Sequence, residues 1–251
     1  MLHTIRWRNA ISAFVLTLMF FIGCISVNTA LAADLPERSE VQSQLTTLNK
    51  QKELTPQDKL VQQDLTQTLE TLDKIERIKS ETTQLRQQVA QAPAKMNQAI
   101  DSLNALSDVP DDEATRKTLS TLSLRQLESR VSQTLDDLQN AQNDLATYNS
   151  QLVSLQTQPE RVQNAMYSAS QQLQQIRNRL NGTSTGEETL RPTQQSLLLA
   201  QQALLNAQID QQRKSLEGNT VLQDTLQKQR DYITAYSNRL EHQLQLLQEA
   251  V

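Results

Sequence analysis

The chain has 251 residues with 24 basic and 28 acidic side chains, a net charge of −4, 3% aromatic residues, four glycines and one cysteine. A negative balance repels phosphate backbones and argues against nucleic acid as a partner. Four glycines leave no material for a phosphate-cradling loop, and one cysteine none for a disulfide framework.

The first 32 residues read as a secretory signal peptide. Arg6 and Arg8 form a positive n-region, Ala10 to Val27 is almost wholly apolar, and Ala30 and Ala32 are the small residues that signal peptidase recognises. Cleavage is expected after Ala32, leaving an extracytoplasmic domain over 33–251. Two rival readings are an uncleaved membrane anchor and lipoprotein processing at Cys24, where Phe21-Ile-Gly-Cys24 resembles a lipobox with Phe21 in place of the usual Leu.

Setting this segment aside removes Trp7, Phe14, Phe20, Phe21, Cys24 and His3, and with Arg6 and Arg8 gone 22 basic residues face 28 acidic ones, a net charge of −6. The remaining aromatics are Tyr148, Tyr167, Tyr232 and Tyr236. Thick cores use large rings to fill volume, so their scarcity predicts thin layers of helices packed by Leu, Val, Ile and Ala. Without cysteine, stability in an oxidising compartment has to come from helix packing.

Along this part of the chain the punctuation reads as helix ends. Thr55-Pro56 is an N-cap followed by proline at the first helical position. Pro93 and Pro159 are read as opening helices in the same way. Asp108-Val-Pro-Asp-Asp-Glu113 is a turn that places carboxylates at a helix start. Asn181-Gly182 and Gly218-Asn219 are read as helix ends, with the longest loop from Thr183 to Pro192. Seven helices are expected, over 37–53, 56–91, 93–107, 111–157, 159–181, 191–217 and 220–251, and no strand.

The helices carry an internal repeat of 66 residues through Leu72, Leu138 and Leu204. Leu65-Thr-Gln-Thr-Leu-Glu-Thr-Leu72 returns as Val131-Ser-Gln-Thr-Leu-Asp-Asp-Leu138, Leu138-Gln-Asn-Ala-Gln-Asn-Asp144 as Leu204-Leu-Asn-Ala-Gln-Ile-Asp210, and Pro93-Ala-Lys-Met96 as Pro159-Glu-Arg-Val162. A fixed period marks units that bury their apolar faces against one another. Between 111 and 157, Leu124, Val131, Leu138, Leu145 and Leu152 recur every seven residues, with Leu127, Thr134, Ala141, Tyr148 and Leu155 three positions later. That is a coiled-coil seam, and Leu226, Ile233, Leu240 and Leu247 repeat it in the last helix. The fold class expected is all-α, an elongated array of antiparallel helices with coiled-coil-like packing.

The residues offer little chemistry. Gly182-Thr-Ser184-Thr-Gly186 matches G-x-S-x-G, but a nucleophile elbow needs a strand before it and a histidine partner. His242, the one histidine beyond the signal peptide, cannot build a zinc site alone. Asp108, Asp111, Asp112 and Glu113 lack the alternating oxygen ligands and glycine of a calcium loop. No catalytic residue, cofactor or metal is expected. The seam still runs at Val251 without a capping residue, which predicts the front part of a longer protein.

Several long runs carry a family resemblance. Leu60-Val-Gln-Gln-Asp-Leu-Thr-Gln-Thr-Leu69, Thr121-Leu-Ser-Leu-Arg-Gln-Leu-Glu-Ser-Arg130, Asp137-Leu-Gln-Asn-Ala-Gln-Asn-Asp-Leu145, Gln158-Pro-Glu-Arg-Val-Gln-Asn-Ala-Met166 and Arg213-Lys-Ser-Leu-Glu-Gly-Asn-Thr-Val-Leu-Gln-Asp-Thr-Leu-Gln-Lys-Gln-Arg230 resemble the N-terminal periplasmic region, the MscS porin domain, of potassium-dependent mechanosensitive channels in the small-conductance family. The resemblance implies a parent channel of the inner membrane, opened by bilayer tension during osmotic shock, with seven subunits around its pore. Its implied partners are the rest of the channel polypeptide and the neighbouring subunits. No pore helix or vestibule follows in this chain, so none of the family's conducting residues has a position here. A free periplasmic coiled-coil adaptor or scaffold is the alternative that periodicity leaves open.

Overall fold

The structure is a computed structural model that describes residues 35–108, 111–185 and 189–251, with the side chains of 183–185 excluded. Residues 36–251 form one compact unit. It is all helix among the described residues. We number the helices α1 (Arg38–Asn49), α2 (Pro56–Ala105), α3 (Asp112–Leu119), α4 (Leu124–Thr185) and α5 (Pro192–Ala250).

Local chemistry sets the helix starts. At α2, Pro56 sits at the first position, Thr55 Oγ1 accepts from the Asp58 backbone N–H at 3.2 Å, and Asp58 Oδ2 accepts from the Thr55 backbone N–H at 2.9 Å. This reciprocal capping box satisfies two donors that a helix start otherwise leaves free. At α3, Asp111 Oδ1 accepts from the Glu113 backbone N–H at 3.0 Å. At α4, Gln126 Oε1 reaches back to the Ser123 backbone N–H at 2.9 Å.

Five helices stand among the described residues where seven are expected, and the differences have physical reasons. The expected helix over 111–157 is broken at 120–123. Ser120 and Thr121 turn their hydroxyls back onto the carbonyls of Lys117 and Thr118, and Gln126 caps the new start. Short hydroxyl side chains compete with the helical ladder in this way. Conversely, Pro93 lies inside α2, Pro159 inside α4, and Gly218-Asn219 inside α5, with helix on both sides of each. α4 also continues past Asn181-Gly182 to Thr185. A proline within a helix forfeits one backbone hydrogen bond and crowds the carbonyl four residues earlier, so these positions need support from outside their own helix.

The three long helices, of 50, 62 and 59 residues, span about 75 to 90 Å each at 1.5 Å per residue. Their packing order differs from their chain order: α5 lies between α2 and α4 and packs along both. Pairing on one side runs in the same direction, with Leu72 and Ile75 against Ala200 and Thr225 against Ala92, so α2 and α5 are parallel. On the other side Leu127 meets Leu246 and Leu247, Ala141 meets Ile233, and Leu173 meets Leu205, so α4 and α5 are antiparallel. α1 folds back on α2, with Val41 and Leu48 against Leu65.

The central helix shows its position in its burial. From Pro192 to Leu240 it has few exposed residues, since apolar or half-apolar surface is needed on two sides at once. Along α4 the packed seam begins at Leu127; Leu124, its expected first member, is 56% exposed at the helix start. Leu152 is buried, whereas Val131, Leu138, Leu145 and Leu155 are half-buried. The seam does not stop at 157. It runs on through Val162, Ala169 and Leu173, all buried, straight across Pro159. Of the repeat positions, Leu72 and Leu204 meet in one cluster between α2 and α5, and Leu138 lies in another between α4 and α5.

Candidate functional site

The residue pattern that stands out is a transverse belt of polar side chains across the middle of the array. Pro159 has no N–H, so the Leu155 carbonyl has no donor within α4. That carbonyl instead accepts from Asn219 Nδ2 at 2.9 Å and from Gln223 Nε2 at 3.3 Å, both on α5. Asn219 Nδ2 also donates to Gln158 Oε1 at 2.7 Å, and Gln158 Nε2 donates to Ser215 Oγ at 2.6 Å. Asn219 and Ser215 are buried. Every buried side-chain nitrogen and oxygen among the described residues has a hydrogen-bond partner, so this buried amide carries no unmet desolvation.

On the opposite flank of α5 the belt continues toward α2. Thr225 Oγ1 donates to the Val221 carbonyl of its own helix at 2.7 Å and, as a second, longer contact, stands 3.1 Å from the Ala92 carbonyl of α2. Seven residues earlier, Gly218 lets α2 come close: a Cβ there would stand 2.3 Å from Val89 Cγ2. No side chain larger than hydrogen fits without displacing Val89. Beside the belt, α2 and α4 border a groove of about 520 Å³ over α5, lined by Lys95, Tyr148, Gln151, Leu155, Leu226 and Gln229 among others. Burial, with the Asp144 carboxylate as a second cause, holds the Tyr148 phenol above its ordinary range.

The two ends of the array are tied differently. Where α5 begins, Asp64 of α2, 7% exposed, accepts from Arg191 Nη2 at 3.0 Å and from Thr193 Oγ1 at 2.9 Å. A carboxylate there also faces the positive end of α5. Where α5 ends, α3 acts as a strap. Arg116 donates through Nε and Nη2 to Glu249 Oε2 at 3.2 and 3.1 Å, and His242 Nε2 lies 2.8 Å from Asp112 Oδ1. Beneath these ties Leu119, Leu127, Leu246 and Leu247 form a buried cluster.

The residues singled out in the sequence are distributed as follows. Ala30 and Ala32 lie outside the described residues, as does Gly186 of the G-x-S-x-G pattern. Asp111 caps α3 and Asp112 pairs with His242. Among the described residues no group of three or more His, Cys, Asp or Glu is placed to hold a metal, and no helix is long and apolar enough to cross a membrane. The belt is the part that sequence reasoning missed. Its available signal was the pair Pro93 and Pro159, 66 residues apart, whose counterpart one further period on is Thr225.

Comparison with known proteins places this architecture. The family described as "Mechanosensitive ion channel porin domain" matches residues 44–251. The chain is similar to the protein described as "Mechanosensitive channel MscK" from Escherichia coli (strain K12), at 71% identity over 98% of this chain. It spans 22% of that relative's length. No solved structure matches the chain. With most of its length inside the family match, the chain belongs to the mechanosensitive ion channel porin domain family.

Proposed function

We propose that this helical array is a periplasmic architectural segment of an inner-membrane mechanosensitive channel, and that it braces the tension-gated part without lining the pore. The observation that carries this reading is three helices of 50, 62 and 59 residues, with the central one tied at one end to α2, in the middle to α4 and at the other end to α3. Such a body suits load-bearing and spacing. The 71% identity to a channel polypeptide supports the same reading. On it, the partners are the remainder of the polypeptide and the neighbouring subunits, seven in all, and the parent releases ions and osmolytes during hypo-osmotic shock.

Patch-clamp recording of the full channel with residues 33–251 deleted tests the proposal. The deleted channel is expected to open under tension with a changed threshold. Properly inserted protein that conducts at no tolerable tension would place this segment in the gate and overturn a bracing role.

A further inference from the structure

A seam that repeats every seven positions still brings seam residues face to face after a slide of seven residues, so that only their sizes tell one register from the next. α4 presents such a series from Leu127 through Ala141 to Ala169, with Thr134 and Tyr148 among its members. α5 answers with Leu205, Ile233, Leu240 and Leu247. Long antiparallel helices of this type need something that recognises one register.

We infer that the knot of Leu155, Gln158, Ser215, Asn219 and Gln223 around Pro159 is a register lock that stops α4 and α5 from sliding along each other. Three observations converge on it. The acceptor is a carbonyl that exists unpaired only because position 159 is proline. The donors are amides on the opposite helix, at 2.9 and 3.3 Å. Asn219 is 6% exposed, so it has little access to water as a substitute partner. A slide of one heptad would carry Asn219 to the level of Val162 or Tyr148, leaving a buried amide and the Leu155 carbonyl both unsatisfied. A single buried asparagine fixes register in coiled coils by this asymmetry. Here the proline supplies the matching acceptor.

The same level of α5 is held on its other side. Val89 of α2 fits the gap at Gly218, and Thr225 reaches the Ala92 carbonyl. The central helix is therefore pinned against both neighbours within Ser215 to Thr225, and axial load on either neighbour is resisted at one level of the array. This inference goes beyond the bracing role and does not depend on it, because its test reads register and not current.

The test uses the whole chain with Cys24→Ser and nitroxide labels on cysteines placed at Gln142 of α4 and Gln248 of α5, both exposed. Their separation by double electron–electron resonance is expected to be single and narrow. Asn219→Leu is expected to keep its helicity by circular dichroism and to add a second population displaced by about 10 Å, the rise of seven helical residues. Asn219→Ala, which adds no bulk, is expected to show the same second population and decides the matter if leucine does not fit. Gln243→Leu, an exposed position on the same helix, is expected to keep one separation. An unchanged single separation in both Asn219 variants would overturn the lock, and so would splitting in Gln243→Leu.

Discussion

The two flanks of α5 reach comparable burial with different side chains. Toward α4 the partners are leucines on a heptad, with Leu127, Leu152 and Leu173 buried. Toward α2 the buried face is Thr68, Thr71, Thr82, Ala92 and Ala99, with Leu72 and Ile75 only in its first half. Each of these threonines donates its hydroxyl to the carbonyl four residues earlier at 2.7 Å: Thr68 to Asp64, Thr71 to Gln67 and Thr82 to Ile78. With the hydroxyl satisfied in its own helix, the residue offers a methyl to its neighbour. The parallel α2–α5 pair is thus a close approach dominated by small side chains, culminating at Gly218, and the antiparallel α4–α5 pair sets buried leucines among smaller residues, Thr134, Ala141 and Ala169. Polar groups can be buried on either flank, provided each finds its partner locally or across the interface.

If that contrast is right, truncation should be most damaging on the α4 flank. Leu152→Ala is expected to lose about 2 to 5 kcal/mol in urea unfolding, the range for emptying a buried leucine site. Leu138→Ala, at a half-buried position, should lose less, about 1 kcal/mol. Equal losses at the two positions would show that the seam is packed more uniformly than their burial indicates.

On the α2 flank the damaging change is the opposite one, addition of bulk. Gly218→Ala gains roughly 1 kcal/mol of helix propensity, but its Cβ would meet Val89 Cγ2 at 2.3 Å. Val89 is held to one side-chain rotamer in a helix, so it cannot readily turn away, and overpacking costs about 1 to 3 kcal/mol. A net loss of about 1 kcal/mol is expected, removed when Val89→Ala accompanies it. The double-mutant cycle measures this coupling directly. Independent, additive effects of the two substitutions would mean that α2 and α5 are not in close approach there.

The same contrast explains what could be read in the sequence. The leucine heptads of α4 and the cap at Thr55-Pro56 are local patterns, and both are visible without a partner helix. The continuity of α2, α4 and α5 was not legible, because Pro93, Pro159 and Gly218 are helix breakers by every local rule. At Pro159 what permits the helix to continue is across the interface, Asn219 on the Leu155 carbonyl, and at Gly218 it is the close approach of Val89. The Thr/Ala face of α2 was missed for a related reason, since threonine reads as polar until its hydroxyl is seen bonded to its own helix. Thr68→Val tests that account. Thr68 is fully buried, yet replacing its locally bonded hydroxyl with a methyl is expected to change stability by less than about 1 kcal/mol. A loss as large as that of Leu152→Ala would mean the hydroxyl does more than satisfy Asp64.

The smallest effect separates the two flanks by pH. α2 starts on a charged cap, Asp58, and α4 on a neutral one, Gln126. The Thr55 hydroxyl, and then its backbone N–H, hold the Asp58 carboxyl below its ordinary value of 3.8. A carboxyl lowered in the folded state contributes stability that is complete above its unfolded value and lost as pH falls through the folded one. Acidification below 3.8 should therefore loosen the first turn of α2 while the first turn of α4 is unaffected at Gln126. Carboxyl carbon NMR is expected to place the Asp58 midpoint below 3.8 and to show it rising in Thr55→Ala. Hydrogen exchange should quicken at the Thr55 and Asp58 amides over the same interval, with no matching change at Ser123. A midpoint at or above 3.8 in the unmodified chain would mean that the reciprocal cap does not form, and α2 would then begin on Pro56 alone.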